Sequence, residues 1–277
     1  MRGDFVWHEL LTSDVAKAQA FYTSVVGWGA RDASAPGAPY TLFTRGKAPA
    51  AGLMELPPDL RKAGAMPRWL GYVGADLDSA VARIARHGGT IQVPPTAIPG
   101  ISRFAIVDDP QGATLALIEW LGTGETQGQA ATPDPKMPGS VGWHELLAAD
   151  TNVALKFYGE VFDWRNAGTD VDPTGAYQLF SVGGRTIGGM STKPAAVPVA
   201  FWLYYFTVED IDAAAERVRS GGGEVVEGPV ALQAGGWVAR CIDPQGAVFA
   251  LVGPRSKKTV GYFAGDTTGV PGRRWSW

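Results

Sequence analysis

The sequence is poor in the residues that build disulfides and metal sites. Its 277 residues include one cysteine and three histidines. A single cysteine excludes a disulfide within the sequence and any zinc site made of several cysteines. Cys241 lies in an apolar run, and we expect it to be an inert core thiol. His87 ends a predicted helix and is expected to face solvent.

The sequence also has little net charge and no long apolar run. The formal net charge is −3, and basic residues form no cluster larger than a few residues. Affinity for nucleic acid depends on neutralising phosphates, so a nucleic-acid partner is not expected. No apolar run approaches the roughly 20 residues of a membrane span, and no secretory signal pattern opens the sequence. These absences predict a cytoplasmic protein with no membrane partner.

What the sequence does contain is a repeat, because segments of the first half return in the same order in the second. The repeated segments are Trp7 to Leu11 and Trp143 to Leu147, Phe21-Tyr22 and Phe157-Tyr158, Trp28 and Trp164, Trp69-Leu70 and Trp202-Leu203, and Asp109 to Ala113 and Asp243 to Ala247. Two such units, each large enough for its own core, predict two tandem domains. We place the domains at residues 1–121 and 139–254, a linker at 122–138 and a tail at 255–277.

Each half contains a strand, a helix and three strands, in that order, twice over. In the first half, Phe5 to Leu11 is predicted to be a strand, and Asp14 can cap a helix whose apolar residues continue to Val26. A second strand and helix follow a predicted loop from Pro57 to Pro67, and Gly88-Gly89 ends that helix. The second half repeats this plan. The pattern predicts an α+β fold built from paired β-α-β-β-β modules.

The ordered set of repeated segments resembles the vicinal oxygen chelate superfamily. This superfamily includes glyoxalase I, bleomycin-resistance proteins, fosfomycin-modifying enzymes and extradiol dioxygenases, and the tandem arrangement is similar to its two-domain glyoxalase-like group. The resemblance is carried by the strand-Asp-helix opening with Phe-Tyr, the Gly-Trp after the first helix and the Asp-Pro-Gln-Gly turn, over about residues 3–120 and 139–253. It implies a mixed sheet curled into a cup in each domain, with helices outside and a ligand inside.

The resemblance also implies where a metal would be held. Members that perform chemistry bind a divalent ion through side chains of the first, fifth and last strands, usually His or Gln, His and Glu. The matching positions here are Trp7, Leu70 (or Trp69) and Ala116 in the first half, and Trp143, Leu203 and Ala250 in the second. None of these side chains ligates a divalent ion. We therefore expect no metal and no other cofactor.

Strand alternation and the resemblance together predict which residues line the two cups. Cup one is expected to be lined by Trp7, Glu9, Tyr40, Met54, Trp69 and Phe104, and cup two by Trp143, Glu145, Tyr177, Met190, Trp202 and Trp237. An aromatic cavity of this kind suits a flat, largely apolar small molecule. Glu9 and Glu145 are the candidate catalytic residues, although either carboxylate could instead be satisfied by backbone, Arg or Tyr groups. His8 and His144 are expected on the opposite faces, toward the helices.

Three functions from different classes fit these features. A metal-free binding protein of the bleomycin-resistance kind would hold a small aromatic or carbonyl-containing molecule, which fits the lost ligands and retained aromatics best. A lyase, isomerase or dioxygenase-like enzyme would act on such a compound with Glu9 or Glu145 as acid/base or metal ligand. If the aromatic side chains of the cups fill them completely, the protein would have no small-molecule site and would be an interaction or scaffold protein. For each, we expect a monomer or homodimer.

Overall fold

The computed structural model describes residues 2–35, 37–121, 134–172, 175–232 and 235–256. The first half contains β1 (Phe5–Thr12), α1 (Val15–Val26), β2 (Gly29–Asp32), β3 (Thr41–Arg45), β4 (Ala48–Glu55), α2 (Pro58–Lys62), β5 (Arg68–Gly74), α3 (Leu77–Arg86), β6 (Thr90–Ile98), β7 (Ser102–Asp108) and β8 (Thr114–Trp120). The second half contains β9 (Val141–Ala148), α4 (Thr151–Phe162), β10 (Arg165–Asp172), β11 (Gly175–Val182), β12 (Arg185–Thr192), β13 (Phe201–Thr207), α5 (Ile211–Ser220), β14 (Glu224–Ala231), β15 (Trp237–Ile242) and β16 (Val248–Gly253).

Each half forms one mixed sheet of eight strands in the described residues. The strand orders are β2-β3-β4-β1-β5-β8-β7-β6 and β10-β11-β12-β9-β13-β16-β15-β14. At the centre of the first sheet, β1 and β5 are antiparallel, and each has a parallel outer neighbour, β4 or β8. The predicted α+β fold of two tandem sheets is confirmed. No helix in the described ranges is both long enough and apolar enough to cross a membrane.

The helices begin where the sequence supplies a cap. Oδ1 of Asp14 accepts a hydrogen bond from the backbone N–H of Lys17 at 3.0 Å, and Gly27 ends α1 with a φ of 84°. Asp150 accepts from the first-turn backbone of α4 in the same way. Because an N-cap carboxylate satisfies N–H groups that the helix leaves free, the strand-Asp-helix pattern fixes where each helix starts.

The helix-covered faces of the two sheets share one hydrophobic core. A single cluster of buried side chains contains Phe21 and Trp28 from the first half together with Phe206 and Phe249 from the second. The rings of Trp28 and Phe206 lie 5.1 Å apart, and those of Phe21 and Phe249 lie 5.9 Å apart. Cys241 belongs to this cluster and is fully buried, as predicted. The main core therefore draws on both halves.

Reciprocal hydrogen bonds join the halves across this core. The Tyr22 hydroxyl donates to Oδ2 of Asp243 at 3.1 Å, and the Tyr158 hydroxyl donates to Oδ2 of Asp109 at 3.0 Å. Oδ1 of each aspartate accepts backbone N–H groups of its own Asp-Pro-Gln-Gly turn. The repeated Phe-Tyr segment of one half is thus bound to the repeated turn of the other.

The repeated tryptophans that follow the first helix of each half make a second reciprocal contact. The indole N–H of Trp28 donates to the carbonyl oxygen of Gly139 at 2.8 Å, and that of Trp164 donates to the carbonyl oxygen of Gly3 at 2.7 Å. Both indoles are almost fully buried. A buried N–H without a partner is costly, so these bonds fix how the halves meet.

Two buried histidines meet between the halves, on the faces that strand alternation predicts. Nε2 of His8 lies 3.0 Å from Nε2 of His144, and Nδ1 of His144 lies 2.9 Å from the carbonyl oxygen of Ile187. Because a carbonyl only accepts, His144 carries its proton on Nδ1 and His8 donates to His144. Burial lowers the pKa of His144 to about 4 and, together with the charge of His144, lowers the pKa of His8 well below its usual value.

Two elements depart from the sequence-based prediction. β2 was not located because all four of its residues are exposed, so it has no apolar alternation. The segment from Pro57 to Pro67, predicted as a loop, contains α2, whose residues are all exposed and which starts at a proline. Residues 122–133 of the predicted linker and the tail from residue 257 lie outside the described residues.

Removing the Tyr22 hydroxyl tests the shared core. Tyr22→Phe leaves a buried acceptor on Asp243 and a buried donor on Trp69 without this partner, which should lower the free energy of unfolding by about 1–3 kcal/mol. Tyr158→Phe is the matched variant and should cost a similar amount. Urea unfolding followed by circular dichroism measures both. Since one core spans the halves, a single transition is expected, and two separate transitions would contradict the shared core.

The histidine pair predicts acid sensitivity. Both folded-state pKa values lie below that of an unfolded histidine, so the stabilisation is complete above about pH 6.5. As pH falls from about 6.5 toward 4, the free energy of unfolding should drop by up to about 1.4 kcal/mol per pH unit for each histidine, because only the unfolded chain gains these protons. Denaturant titrations of His8→Gln/His144→Gln should show a flatter pH dependence, with His87→Gln as control. Parallel pH profiles would refute the prediction.

Candidate ligand-binding cups

The face of each sheet opposite the helices carries a small apolar cluster with half-buried aromatics around it. In cup one, this cluster consists of Leu70, Tyr72, Ala116 and Ile118, bordered by Val6, Trp7, Phe104, Ile106 and Trp120. In cup two, it consists of Leu147, Leu203, Tyr205 and Ala250, bordered by Trp143, Phe201, Val238 and Val252. Both cups therefore contain aromatic side chains whose surfaces are only partly buried by the rest of the protein.

Glu9 is the polar centre of cup one. The Tyr40 hydroxyl donates to Oε2 of Glu9 at 2.7 Å, and the Tyr72 hydroxyl donates to Oε1 at 2.9 Å. The indole N–H of Trp7 donates in turn to the Tyr40 hydroxyl at 3.2 Å. Glu9 as a whole residue is 7% exposed, and its carboxyl group accepts one hydrogen bond on each oxygen. The aromatic side chains thus hold a carboxyl that keeps unused acceptor positions.

The surroundings of Glu9 favour its protonated form. Burial raises the pKa of the carboxyl, and the hydrogen bonds from Tyr40 and Tyr72 only partly oppose this. Burial and the nearby Glu9 raise the pKa of both phenols far above their usual value, so they stay donors. The centre of cup one is a weakly acidic carboxyl and two phenols, with no cation beside it in the described residues.

A glycine makes this arrangement possible. Tyr40 precedes β3 and crosses β4 to reach Glu9 on β1, and the residue beneath it on β4 is Gly52. A Cβ at Gly52 would lie 2.0 Å from the Tyr40 hydroxyl oxygen and 3.0 Å from Oε2 of Glu9. Gly189 has the same role beneath Tyr177 in cup two. Any other residue at Gly52 would displace the tyrosine.

Glu145 has a different environment in cup two. Ser191 donates to Oε1 at 2.7 Å, Tyr205 donates to Oε2, and Nη2 of Arg240 lies 3.1 Å from both oxygens. Glu145 is fully buried. Nη1 of Arg240 also donates to Glu227 at 3.1 Å. The carboxylate of Glu145 is therefore paired with a cation and accepts two hydrogen bonds on each oxygen.

Arg240 reaches Glu145 across the cup. Glu145 lies on β9 and Arg240 on β15, and β13 and β16 lie between them. In a flat sheet, three strand spacings would separate them by roughly 14 Å, so the contact requires the sheet to curl. Burial opposes the charge of Arg240, but the charge of Glu145 and other neighbours raises the pKa of the guanidinium overall. The arginine remains a fixed cation on the floor of cup two.

Most of the predicted cup residues lie on the cup face. In cup one these are Trp7, Glu9, Tyr40, Met54 and Phe104. In cup two they are Trp143, Glu145 and Tyr177, and the indole N–H of Trp143 donates to the Tyr177 hydroxyl at 2.7 Å. Their role in binding a ligand stays a prediction.

The placement of Trp69, Trp202 and Met190 in the cups is wrong. Trp69 lies opposite Leu10 on β1, and Trp202 and Met190 lie opposite Leu146 on β9, so all three share the helix-covered face. The residue of β5 that faces the cup beside Glu9 is Leu70. The two tryptophans instead donate to the tyrosines that join the halves, at 2.8 Å and 3.2 Å.

The placement of Trp237 in cup two is also wrong, by one residue. Its neighbour Val238 belongs to the cup-two cluster, so Trp237 points to the other face. There it packs against the shared core, and the guanidinium of Arg255 lies 3.7 Å from its ring centre.

Sequence reasoning missed Tyr72, Tyr205 and Arg240. Tyr72 lies two residues after Leu70 on the same strand, so alternation could have placed it and its counterpart Tyr205 in the cups. The only signal for Arg240 is a charge within the otherwise apolar strand β15. Its partner lies three strands away, which no local pattern encodes.

Comparison with known proteins identifies the family. The family model described as Glyoxalase/Bleomycin resistance protein/Dioxygenase superfamily matches residues 5–117 and 140–251. The chain belongs to this superfamily. The tandem match agrees with the two sheets described above.

Two relatives match along most of the chain. The chain is 30% identical over 251 residues to the Mycobacterium tuberculosis protein named "Putative glyoxylase CFP32", covering 90% of this chain and 94% of that one. It is 34% identical over 263 residues to the anthracycline biosynthesis protein DauV of Streptomyces sp. (strain C5), covering 89% of this chain and 91% of that one.

A similar solved structure is the Mn(II)-bound glyoxalase from Novosphingobium aromaticivorans. Its TM-score is 0.61 at 15% identity, and the match covers 92% of this chain and 83% of that one. A likeness at this level of identity concerns the fold.

The cups do not offer the donor set that a divalent ion needs in this superfamily. In cup one, the positions implied for ligands carry Trp7, Leu70 and Ala116, and the nearest carboxyl, Glu9, is bonded to two phenols. In cup two, a guanidinium already stands beside the carboxylate. Within the described residues, no three His, Cys, Asp or Glu side chains come together to hold a metal ion. The residues present therefore do not fit the metal.

Metal analysis tests this misfit. Protein purified without chelators and then incubated with Mn²⁺ should retain well under one ion per chain after gel filtration, because neither cup supplies two or more unpaired donors. Inductively coupled plasma mass spectrometry gives the ratio for Mn, Fe, Zn and Ni. About one retained ion per chain, lost in Glu9→Ala, would overturn the expectation and make Glu9 a ligand.

Proposed function

We propose that this protein binds a small, flat, largely apolar molecule with hydroxyl or carbonyl oxygens in cup one, without a divalent metal. The observation that carries the proposal is Glu9, a buried carboxyl with unused acceptor positions, held by Tyr40 and Tyr72 on an aromatic floor. Ligand sites are mostly apolar concavities with a few polar groups that fix orientation, and cup one has this composition.

The lining of cup one favours an aromatic ligand. Trp7, Phe104 and Trp120 are half-buried around the apolar cluster, so their surfaces remain available for contact. Aromatic contacts contribute about 0.5–1.5 kcal/mol beyond burial of area. Because the pKa of Glu9 is raised, the protonated carboxyl can donate to a ligand carbonyl, whereas the ionised form can accept from a ligand hydroxyl. A hydroxyquinone offers both groups.

One of the two relatives described above supports the same class of ligand. The name of DauV refers to anthracycline biosynthesis. Anthracyclines are fused aromatic rings that carry quinone and hydroxyl oxygens, which is the chemistry that the lining of cup one fits. We therefore propose a polycyclic aromatic compound of this kind rather than a small aliphatic carbonyl compound.

A second candidate is acid–base catalysis on the same kind of molecule. The specific observation in its favour is the raised pKa of the Glu9 carboxyl, since a group that exchanges protons nearer neutral pH is an efficient acid or base. Tyr40 and Tyr72 could then stabilise a developing oxyanion. This candidate shares the site with the first and differs from it by turnover of the bound compound.

Titration with quinizarin, a dihydroxyanthraquinone, tests the binding proposal. Trp7→Ala should weaken binding by at least about tenfold, because it removes both burial and an aromatic contact. Glu9→Gln should weaken binding by about tenfold, because it replaces a carboxyl oxygen that can donate or accept with an amide NH2 group that can only donate. Tryptophan fluorescence and calorimetry give the dissociation constants.

Matched controls lie on the same sheets but outside the cups. Trp237→Ala removes an indole that contacts Arg255, and Glu119→Gln removes a carboxylate that pairs with Arg103. Both should bind quinizarin as the unmodified protein does. Equal losses in controls and cup variants, or no loss in either cup variant, would reject cup one as the site.

A further inference from the structure

Three positions around the central glutamate distinguish the two cups. By strand register, Met54, Val93 and Ile106 of cup one correspond to Ser191, Glu227 and Arg240 of cup two. The other groups around the glutamates are paired: Trp7 with Trp143, Tyr40 with Tyr177, Tyr72 with Tyr205 and Gly52 with Gly189. The immediate surroundings of the carboxyl are therefore apolar in one half and ionic in the other.

The ionic version leaves no opening at its carboxyl. Glu145 is fully buried, and each of its oxygens accepts two hydrogen bonds. The Arg240 side chain lies across the floor of the cup, beside Ala250, whose methyl group leaves it room. A ligand in cup two would have to displace the guanidinium and leave a buried charge unpaired, which is strongly unfavourable.

We propose that Arg240 closes cup two, so that each chain binds one ligand molecule, in cup one. This inference rests on the proposed function, because it concerns the same class of ligand. Arg240 is bound on both sides, to Glu145 and to Glu227, so it stays in place without a ligand. On this account, cup one binds the ligand, and cup two is closed by the ion pair between Arg240 and Glu145.

The direct test exchanges the distinguishing residues between the cups. Calorimetric titration of the unmodified protein with quinizarin should give one site per chain, weakened by Trp7→Ala and not by Trp143→Ala. Ile106→Arg should place a guanidinium beside Glu9 and weaken binding by at least tenfold. Ser191→Met/Glu227→Val/Arg240→Ile gives Glu145 the apolar neighbours of Glu9 and removes the guanidinium, and it should give two sites per chain.

Each outcome separates this inference from the proposed function. Two sites in the unmodified protein, or one site that Trp143→Ala weakens, would overturn the closure of cup two. Unchanged affinity in a folded Ile106→Arg variant would also overturn it, even if the triple variant does not fold. No binding of quinizarin to any folded variant would instead contradict the proposed function.

A measurement without ligand tests the closure by itself. Arg240→Met leaves Glu145 buried without its cation and should lower the melting temperature by roughly 10 °C. Arg103→Met, which removes two ion pairs outside the cups, with Asp78 and Glu119, is the matched control and should change the melting temperature by no more than a few degrees. Equal shifts in the two variants would contradict the role of Arg240, whatever the ligand titrations give.

Discussion

The reciprocal bonds from tyrosine to aspartate between the halves are the contacts on which the rest of the structure depends. Each joins a hydroxyl on the first helix of one half to the Asp-Pro-Gln-Gly turn of the other, at 3.1 Å and 3.0 Å. Both phenols and both carboxyls are buried, so neither partner can turn to water without loss. They hold the helix-covered faces together, and the cups consequently lie on the opposite faces, away from the shared core.

This division explains why repetition in sequence is a poor guide to the ligand site. Several repeated aromatics, such as Trp28, Trp69 and their counterparts, pack in the shared core, where pseudo-symmetry requires matching shapes. The cups are under no such requirement. Around the central glutamates they differ at positions such as Ile106 and Arg240, which make one glutamate weakly acidic and the other the partner of a fixed cation.

The fold was predictable because its signals are local: an aspartate cap before α1, α3, α4 and α5, a glycine after α1, α3 and α5, and alternation along the strands. The site residues were predictable only where the alternation of side chains along a strand was counted from a residue on the correct face. Glu9, Tyr40 and Phe104 were placed correctly, whereas Trp69 and Trp237 were misplaced by one position, which reverses the face of a strand. The pairing of Arg240 with Glu145 could not be predicted, because it depends on how far the sheet curls.

The central claim is that two similar cups differ in function because one carboxyl is available and the other is ion-paired. A crystal structure of the protein with quinizarin tests this claim most directly. The account predicts one bound molecule per chain, stacked beside Trp7 with an oxygen within hydrogen-bond distance of Glu9, and an unbroken contact between Arg240 and Glu145. A molecule bound in cup two with Arg240 displaced would contradict it.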